Sequence, residues 1–199
     1  MKKKKALPSR TIHVKNMTCS CCIHLLRKEF TMDGIEIQDI KLGLLILSVD
    51  PKKITWKKVE SILEVYGFEI ISDKEKILVE QIKQAVVDLV HNSTYNAMVR
   101  NSDYLVERFG MSYPYISSLF SKHEITTLEK FTILHKIEKV KELIEYGELT
   151  LSEIAYMMGY SSVQYLSTQF KSITGISVTE YRVTPASGRS GLDNLINSN

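Results

Sequence analysis

Along the first 71 residues the apolar positions switch between two periods. In residues 11–15, Ile12 and Val14 share one side of an alternating run, the period of a half-buried strand. Residues 22–30 change to helical spacing, which brings Ile23, Leu26 and Phe30 onto one side. Asp33-Gly34 marks a turn. Residues 35–42 and 44–49 read as a hairpin around Gly43, and Asp50-Pro51 stops its second strand. Thr55 can cap a helix that aligns Val59, Ile62, Leu63 and Tyr66; Gly67 ends it, and residues 68–71 form a last short strand. The predicted order is βαββαβ.

Strand signals stop at Ser72. Residues 73–91 predict one amphipathic helix with Ile77, Leu78, Ile82, Val86, Leu89 and Val90 inward. Helical character follows in residues 102–109, 113–122, 127–146, 152–158, 161–173 and 178–182, with breaks at Gly110, Gly147, Gly159 and Gly175. An internal repeat organises this half. Leu105 to Gly110 parallels Ile154 to Gly159, Tyr115 to Phe120 parallels Tyr165 to Phe170, and Leu128 and Phe131 parallel Val178 and Tyr181. Each copy is a short helix, a glycine turn and a second helix. The helix joining them points Ile133, Ile137, Val140 and Ile144 at a core. Two such units on a rigid connector can enter successive major grooves about 34 Å apart on one side of a duplex without a dimer. The fold class is α+β: a split-βαβ, ferredoxin-like sandwich of residues 10–72, then an all-α domain of residues 94–184 with two helix-turn-helix units, joined by a linker helix over 73–93. Residues 1–9 form a basic arm, and residues 185–199 carry too little apolar content to pack, so a disordered tail is expected.

Composition narrows the function. At 199 residues, with 44% hydrophobic and 25% charged residues, the chain has the balance of a soluble globular protein, and no apolar run is long enough to span a membrane. The lysines Lys2 to Lys5 have no apolar stretch behind them, so export is not expected. All three cysteines fall within residues 19–22, which suggests metal or redox chemistry in a reducing cytoplasm rather than a disulfide framework. Residues 1–72 carry 13 Lys and Arg against 8 Asp and Glu, whereas residues 94–184 carry 9 against 10. The half with the helix-turn-helix pattern is therefore not the basic half.

Residues 102–182 resemble the DNA-binding domain of AraC/XylS-family transcription regulators. The resemblance rests on Leu151-Ser152-Glu153-Ile154-Ala155, Gly159-Tyr160-Ser161, Tyr165-Leu166-Ser167, Phe170-Lys171, Gly175-Ile176 and Tyr181-Arg182. The first unit departs at Ile125, where the family usually has glycine. Leu105, Ile116, Leu119, Phe120, Ile154, Leu166 and Phe170 are expected in the core. Exposed positions at the start and outer face of each second helix are expected to reach base edges: Tyr113, Pro114, Ser117 and Ser118, then Val163, Gln164, Ser167 and Thr168. The resemblance implies arginine in many relatives where Ser118 and Thr168 stand. This chain thus lacks a bidentate guanine contact worth about 1–3 kcal/mol, while Gln164 can read adenine. Lys122 and Lys171 are expected on phosphate.

Met17-Thr18-Cys19-Ser20-Cys21-Cys22 falls where the first strand gives way to the first helix. Cys19 and Cys22 have C-x-x-C spacing and can point at one atom, and the helix N-terminus favours thiolate there. Two soft thiolates suit Cu(I), whereas Zn(II) prefers four ligands and would need two more. Cys21 either supplies a third thiolate or points away. Residues 10–71 resemble the heavy-metal-associated domain of copper chaperones and metal-pumping ATPases, through the βαββαβ order and the M-x-C-x-x-C loop. That resemblance implies Cys19 and Cys22 as ligands, Met17 packed inward, and Phe68 shielding the loop. Asn16 replaces the usual glycine and Cys21 is an added thiol. A retained domain that no longer binds metal and a thiol redox sensor are the alternatives. His13 and His24 are isolated, as solvated or partly buried side chains are.

The sequence thus describes a cytoplasmic transcription regulator whose N-terminal domain senses a soft metal ion. Its partners are double-stranded DNA and RNA polymerase, without a membrane, and it acts as monomer or homodimer. A metal carrier or buffer anchored by its C-terminal half is the runner-up. An enzyme is not expected: there is no Gly-rich nucleotide loop or G-x-S-x-G, and Glu138, Glu142 and Glu145 lie along one helix as a solvated face.

Overall fold

The computed structural model describes residues 9–92 and 100–183. The basic arm of Lys2 to Lys5, residues 93–99 and the expected tail from Pro185 lie outside them. Two compact units divide between Gln84 and Ala85.

In the first unit, alternation buries Ile12 and Val14 on one side of β1 (Ser9–Lys15), and Leu45, Leu47 and Val49 on one side of β3 (Leu44–Val49). The two strands pair antiparallel with Ile12 opposite Leu45, so their apolar sides coincide. β2 (Ile35–Lys41) pairs with β3 and carries an irregularity between Ile37 and Asp39; β4 (Glu69–Ile71) pairs with the end of β1. The sheet order is β2-β3-β1-β4, all antiparallel. Two helices supply the rest of the core, α1 (Ser20–Glu29) through Leu26 and α2 (Trp56–Val65) through Val59, Ile62 and Leu63. Fully burying such a side chain contributes about 1.5–3 kcal/mol.

Local departures from the sequence reading have simple causes. Helix α1 begins two residues earlier than the apolar period suggests, because Cys19 is its N-cap. Tyr66, expected on the inward stripe of α2, is the C-cap residue, where the helix ends, and is 39% exposed. Thr55 occupies the N-cap of α2, but its side chain makes no capping hydrogen bond. Phe68 precedes β4 and is buried in the core.

Helix α3 (Lys74–Asn92) crosses the division between the units. Its buried set is broader than a single stripe: Val79, Ile82, Ala85, Val86, Val87, Leu89 and Val90 are buried, while Ile77 and Leu78 are only half-buried. Glu80 is buried as well, and Lys83 reaches its carboxylate at 2.8 Å.

The second unit is helical: α4 (Asn101–Phe109), α5 (Tyr113–His123), α6 (Leu128–Tyr146), α7 (Leu151–Met157), α8 (Val163–Thr174) and α9 (Val178–Val183). The pairs α4–α5 and α7–α8 are the two repeat copies, and α6 is the connector. Gly110 after α4 and Gly159 after α7 adopt φ of 63° and 68°, the left-handed geometry that lets each chain turn sharply into its second helix. The seven repeat residues expected in the core are all buried, as are Leu128, Phe131, Val178 and Tyr181. On α6, Ile137, Val140 and Ile144 are buried, but Ile133 is half-buried and faces a groove. Glu138 and Glu142 are not merely solvated: Lys141 reaches Glu138 at 2.6 Å and Lys139 reaches Glu142 at 2.8 Å. Glu145 accepts a 2.5 Å hydrogen bond from the Tyr181 hydroxyl, tying α9 to the connector.

Candidate nucleic-acid interface and thiol loop

Helices α5 and α8 each bury one side and present another. In α5 the buried residues are Ile116, Leu119 and Phe120; Pro114, Tyr115, Ser118 and Lys122 are exposed. In α8, Leu166 and Phe170 are buried, and Gln164, Tyr165, Thr168 and Lys171 are exposed. Equivalent positions of the repeat carry equivalent burial at 114/164, 115/165, 116/166, 118/168 and 120/170, but buried Leu119 is matched by half-buried Gln169. Among the predicted contacts, Ser117, Val163 and Ser167 are half-buried beside these faces. Thr168 spends its hydroxyl proton on the Gln164 carbonyl at 2.9 Å, which leaves its oxygen lone pairs to accept.

Tyr113 departs from the sequence reading. It is half-buried, and burial, with the Glu129 charge adding, pushes its phenol above the ordinary value. It lines a groove of about 710 Å3 together with Tyr165, from the first turn of α8, and with Ile133, Lys136, Tyr160 and Gln169. The first turns of α5 and α8 thus open onto one groove. The aromatic residues that stand out on the exposed faces are instead Tyr115 at 50% and Tyr165 at 54% exposure. Their recurrence in both repeat copies was the available signal.

Local chemistry sets where these helices begin. Ser162 is the N-cap of α8, and its hydroxyl accepts from the Tyr165 N–H at 3.1 Å. Pro114 sits in the first turn of α5, where a missing N–H costs nothing. Ahead of α8, the Tyr160 hydroxyl donates to Gln169 Oε1 at 2.6 Å, and burial pushes that phenol far above its usual range.

In the first unit, the loop between β1 and α1 gathers the thiols. Asn16 takes a left-handed φ of 71°, and its side-chain amide donates to the Gly67 carbonyl at 2.9 Å, so an asparagine holds the backbone turn there. Met17 is fully buried. Its carbonyl accepts a 2.6 Å hydrogen bond from Gln84 Nε2 on α3, whereas Gln84 Oε1 is buried with no partner among the described residues. Cys19 and Cys22 bring their sulfurs within 3.7 Å. That is far beyond a covalent S–S bond of about 2.05 Å. Both sulfurs can nonetheless reach one ion between them at about 2.3 Å each. Partial burial raises the Cys19 thiol, but hydrogen bonds from the backbone and thiol of Cys22, and from Cys21, outweigh it and lower its pKa. Cys21 is exposed, and the Cys19 charge is the main cause that raises its thiol. No group of three or more His, Cys, Asp or Glu is gathered as a metal site among the described residues. His24 is occupied within α1, its Nδ1 lying 2.8 Å from the Ser20 carbonyl.

Residues 105–184 match the family model described as a helix-turn-helix domain. The Msm operon regulatory protein of Streptococcus mutans is 21% identical over 130 residues, which cover 64% of this chain and 45% of that protein. This chain thus spans about half the length of the curated relative it matches. Among solved structures, the C-terminal domain of AraT, a response regulator from Geobacillus stearothermophilus, is 25% identical with a TM-score of 0.47, covering 56% of this chain and 88% of that one. The C-terminal domain of the two-component response regulator yesN from Fusobacterium nucleatum is 26% identical with a TM-score of 0.44, covering 51% and 98%. No helix of the described residues is long and apolar enough to cross a membrane.

Proposed function

We propose that this chain is a transcription regulator that reads a specific DNA sequence with the AraC-family helix-turn-helix domain of its C-terminal half, under the control of a thiol-bearing N-terminal unit. The observation that carries the reading is the pair of reading helices whose first turns share one groove and whose exposed faces recur in register. Gln164, exposed in the first turn of α8, is placed to read adenine through its amide, and Pro114 and Ser118 hold the matching outer face of α5. Lys122 and Lys171 meet phosphate, and the N-terminal amides of both helices add to them. Titrating the purified chain against genomic fragments tests this: a saturable complex that survives excess unrelated duplex supports it, and binding that unrelated duplex removes refutes it.

The first unit takes a soft metal ion between Cys19 and Cys22. Its sheet order β2-β3-β1-β4 supports the ferredoxin-like, heavy-metal-associated reading, as do the buried Met17 and Phe68. The lowered Cys19 pKa favours the thiolate a soft ion needs, and because no group of three or more His, Cys, Asp or Glu is gathered among the described residues, a two-thiolate ion suits the loop better than a four-ligand one. When bound, a Cu(I) ion would supply a fixed link between the two sulfurs. Asn16 and Gln84 hold the loop on either side of that link. A ligand there shifts the protein only by its differential affinity for two states. With both Cys19→Ser and Cys22→Ser in place, any effect of Cu(I) on DNA affinity under reducing conditions should vanish; a metal response that persists removes the sensor from the proposal and leaves the DNA reading intact.

A further inference from the structure

The groove between the two reading helices poses a mechanical question: what fixes their separation? The first helix-turn-helix pair is keyed to the connector by Phe120 of α5 against Phe131 of α6, with ring centroids 5.4 Å apart. Five residues along the same helix stands Lys136, about 7.5 Å further along the axis. Its ammonium donates to the Met158 carbonyl at 2.9 Å and lies 5.6 Å from the Tyr160 ring. Met158 is the C-cap of α7, so Lys136 fills one of the carbonyls that a helix end leaves without an internal partner. Tyr160 then carries the contact into α8, through its hydrogen bond to Gln169 and its edge contact with Tyr165 at 5.9 Å. Burial lowers the Lys136 pKa, as it should for an ammonium held inside the groove rather than in bulk water.

We propose that Lys136 is a positioning residue that locks the turn of the second reader onto the connector, and thereby restricts this domain to a single spacing between its two DNA half-motifs. The proposal rests on the DNA-reading function. Moving one half-motif by a base pair displaces it by about 3.4 Å and rotates it by about a tenth of a turn, so both recognition helices fit only if the link between them is stiff. A lysine that ties a turn to a connector provides that stiffness without touching a base. Losing a hydrogen bond from a charged donor corresponds to about a tenfold change in an equilibrium, which is the expected loss of discrimination.

The experiment is selection from a random-sequence duplex library with the full-length protein under reducing conditions, followed by affinity measurements on the winning site and on versions one base pair longer and shorter. The wild-type chain should enrich two motifs at one spacing. Lys136→Met should enrich the same two motifs over several neighbouring spacings, with about tenfold less discrimination against the shifted sites. Lys136→Arg, which keeps a cation able to donate to the carbonyl, should restore the single spacing. Tyr160→Phe loosens the same link while leaving the ring in place, and supplies an intermediate broadening if Lys136→Met does not fold. A Lys136→Met protein that keeps the sharp spacing overturns the proposal, as does one that loses a motif outright. A wild-type chain that enriches no motif overturns the DNA-reading function itself.

Discussion

The two helix-turn-helix units share one plan and are stabilised differently. The second is capped at nearly every joint. Thr150 and Glu153 form a reciprocal capping box at α7, with the Thr150 N–H donating to the Glu153 carboxylate at 2.7 Å and the Glu153 N–H donating to the Thr150 hydroxyl at 3.3 Å. Ser162 caps α8, Gly175 closes it in the left-handed conformation, and Ser177 and Glu180 exchange bonds at the start of α9. In the first unit, Arg100 and Ser112 stand at the N-caps of α4 and α5 without a side-chain capping bond. Helix α5 ends at Glu124 in extended conformation, and the next residue, Ile125, is 82% exposed. The Thr126 hydroxyl is buried with no partner among the described residues. The second unit is thus held by short-range hydrogen bonds at α7, α8 and α9 as well as by its core, whereas the first has such a bond where Thr127 accepts from the Lys130 N–H at 3.1 Å and leans more on burying Leu105, Ile116, Leu119 and Phe120 against Phe131. A repeat can keep its shape while exchanging one source of stability for the other.

The comparison can be broken first at the core, where the units should behave alike. Phe120→Ala and Phe170→Ala remove equivalent buried rings, and each should cost about 3–5 kcal/mol in a denaturant titration followed by circular dichroism. A gap of several kcal/mol between them would show that the copies do not rest on comparable cores. At the surface they should differ. Gln164→Ala should weaken binding to the selected site by about 1–3 kcal/mol and relax preference at one base pair, while Ser118→Ala, with a single hydroxyl to lose, changes affinity little. Gel-shift titrations against single-base variants of the site check this.

Capping gives the sharpest contrast. Thr150→Ala should lower stability by about 1 kcal/mol, and Ser112→Ala should leave it nearly unchanged, because no capping bond is lost there. Thermal melts of the two variants decide it, and equal losses would erase the distinction between the units. The smallest effect concerns pH. His91 on α3 lies beside His135 on α6, with Nε2 and Nδ1 3.4 Å apart. Burial, and then the Lys139 charge, lower the His91 pKa, partly offset by Glu142 and Glu138. A histidine held below its unfolded value contributes stability that is full above about pH 6.5 and is lost as pH falls through the lowered folded value. Melts should therefore drop as pH falls below about 6.5, and His91→Leu should flatten that slope.

The same contrast explains what the sequence made legible. Both sequence periods of the sheet-bearing N-terminal unit and the repeat of the helical unit are long-range patterns of burial, and they placed the strands, the helices and the two helix-turn-helix pairs. Glycines at 110 and 159 marked both turns because the turns need left-handed backbone. The start of α8 at Val163 rather than residue 161 was hidden because Ser161 and Ser162 both look like caps, and only the geometry chooses Ser162. Tyr113 was misjudged because its environment comes from α6 and the second unit's turn, which no local window contains. For the same reason Lys136 reads in sequence as one more cation on an amphipathic connector. Gln84, 67 residues from Met17, carries no local sign of its bond to the cysteine loop.

The reading faces of α5 and α8 display hydroxyls, an amide and tyrosines, with one lysine each at Lys122 and Lys171. Bulk chromosome attracts proteins chiefly through its phosphates, so a face with so few cations is a poor guest on random duplex. On the proposed DNA reading, competing genomic sites then sequester few molecules, and occupancy of a specific site is set by the ratio of the two affinities and the number of competing sites.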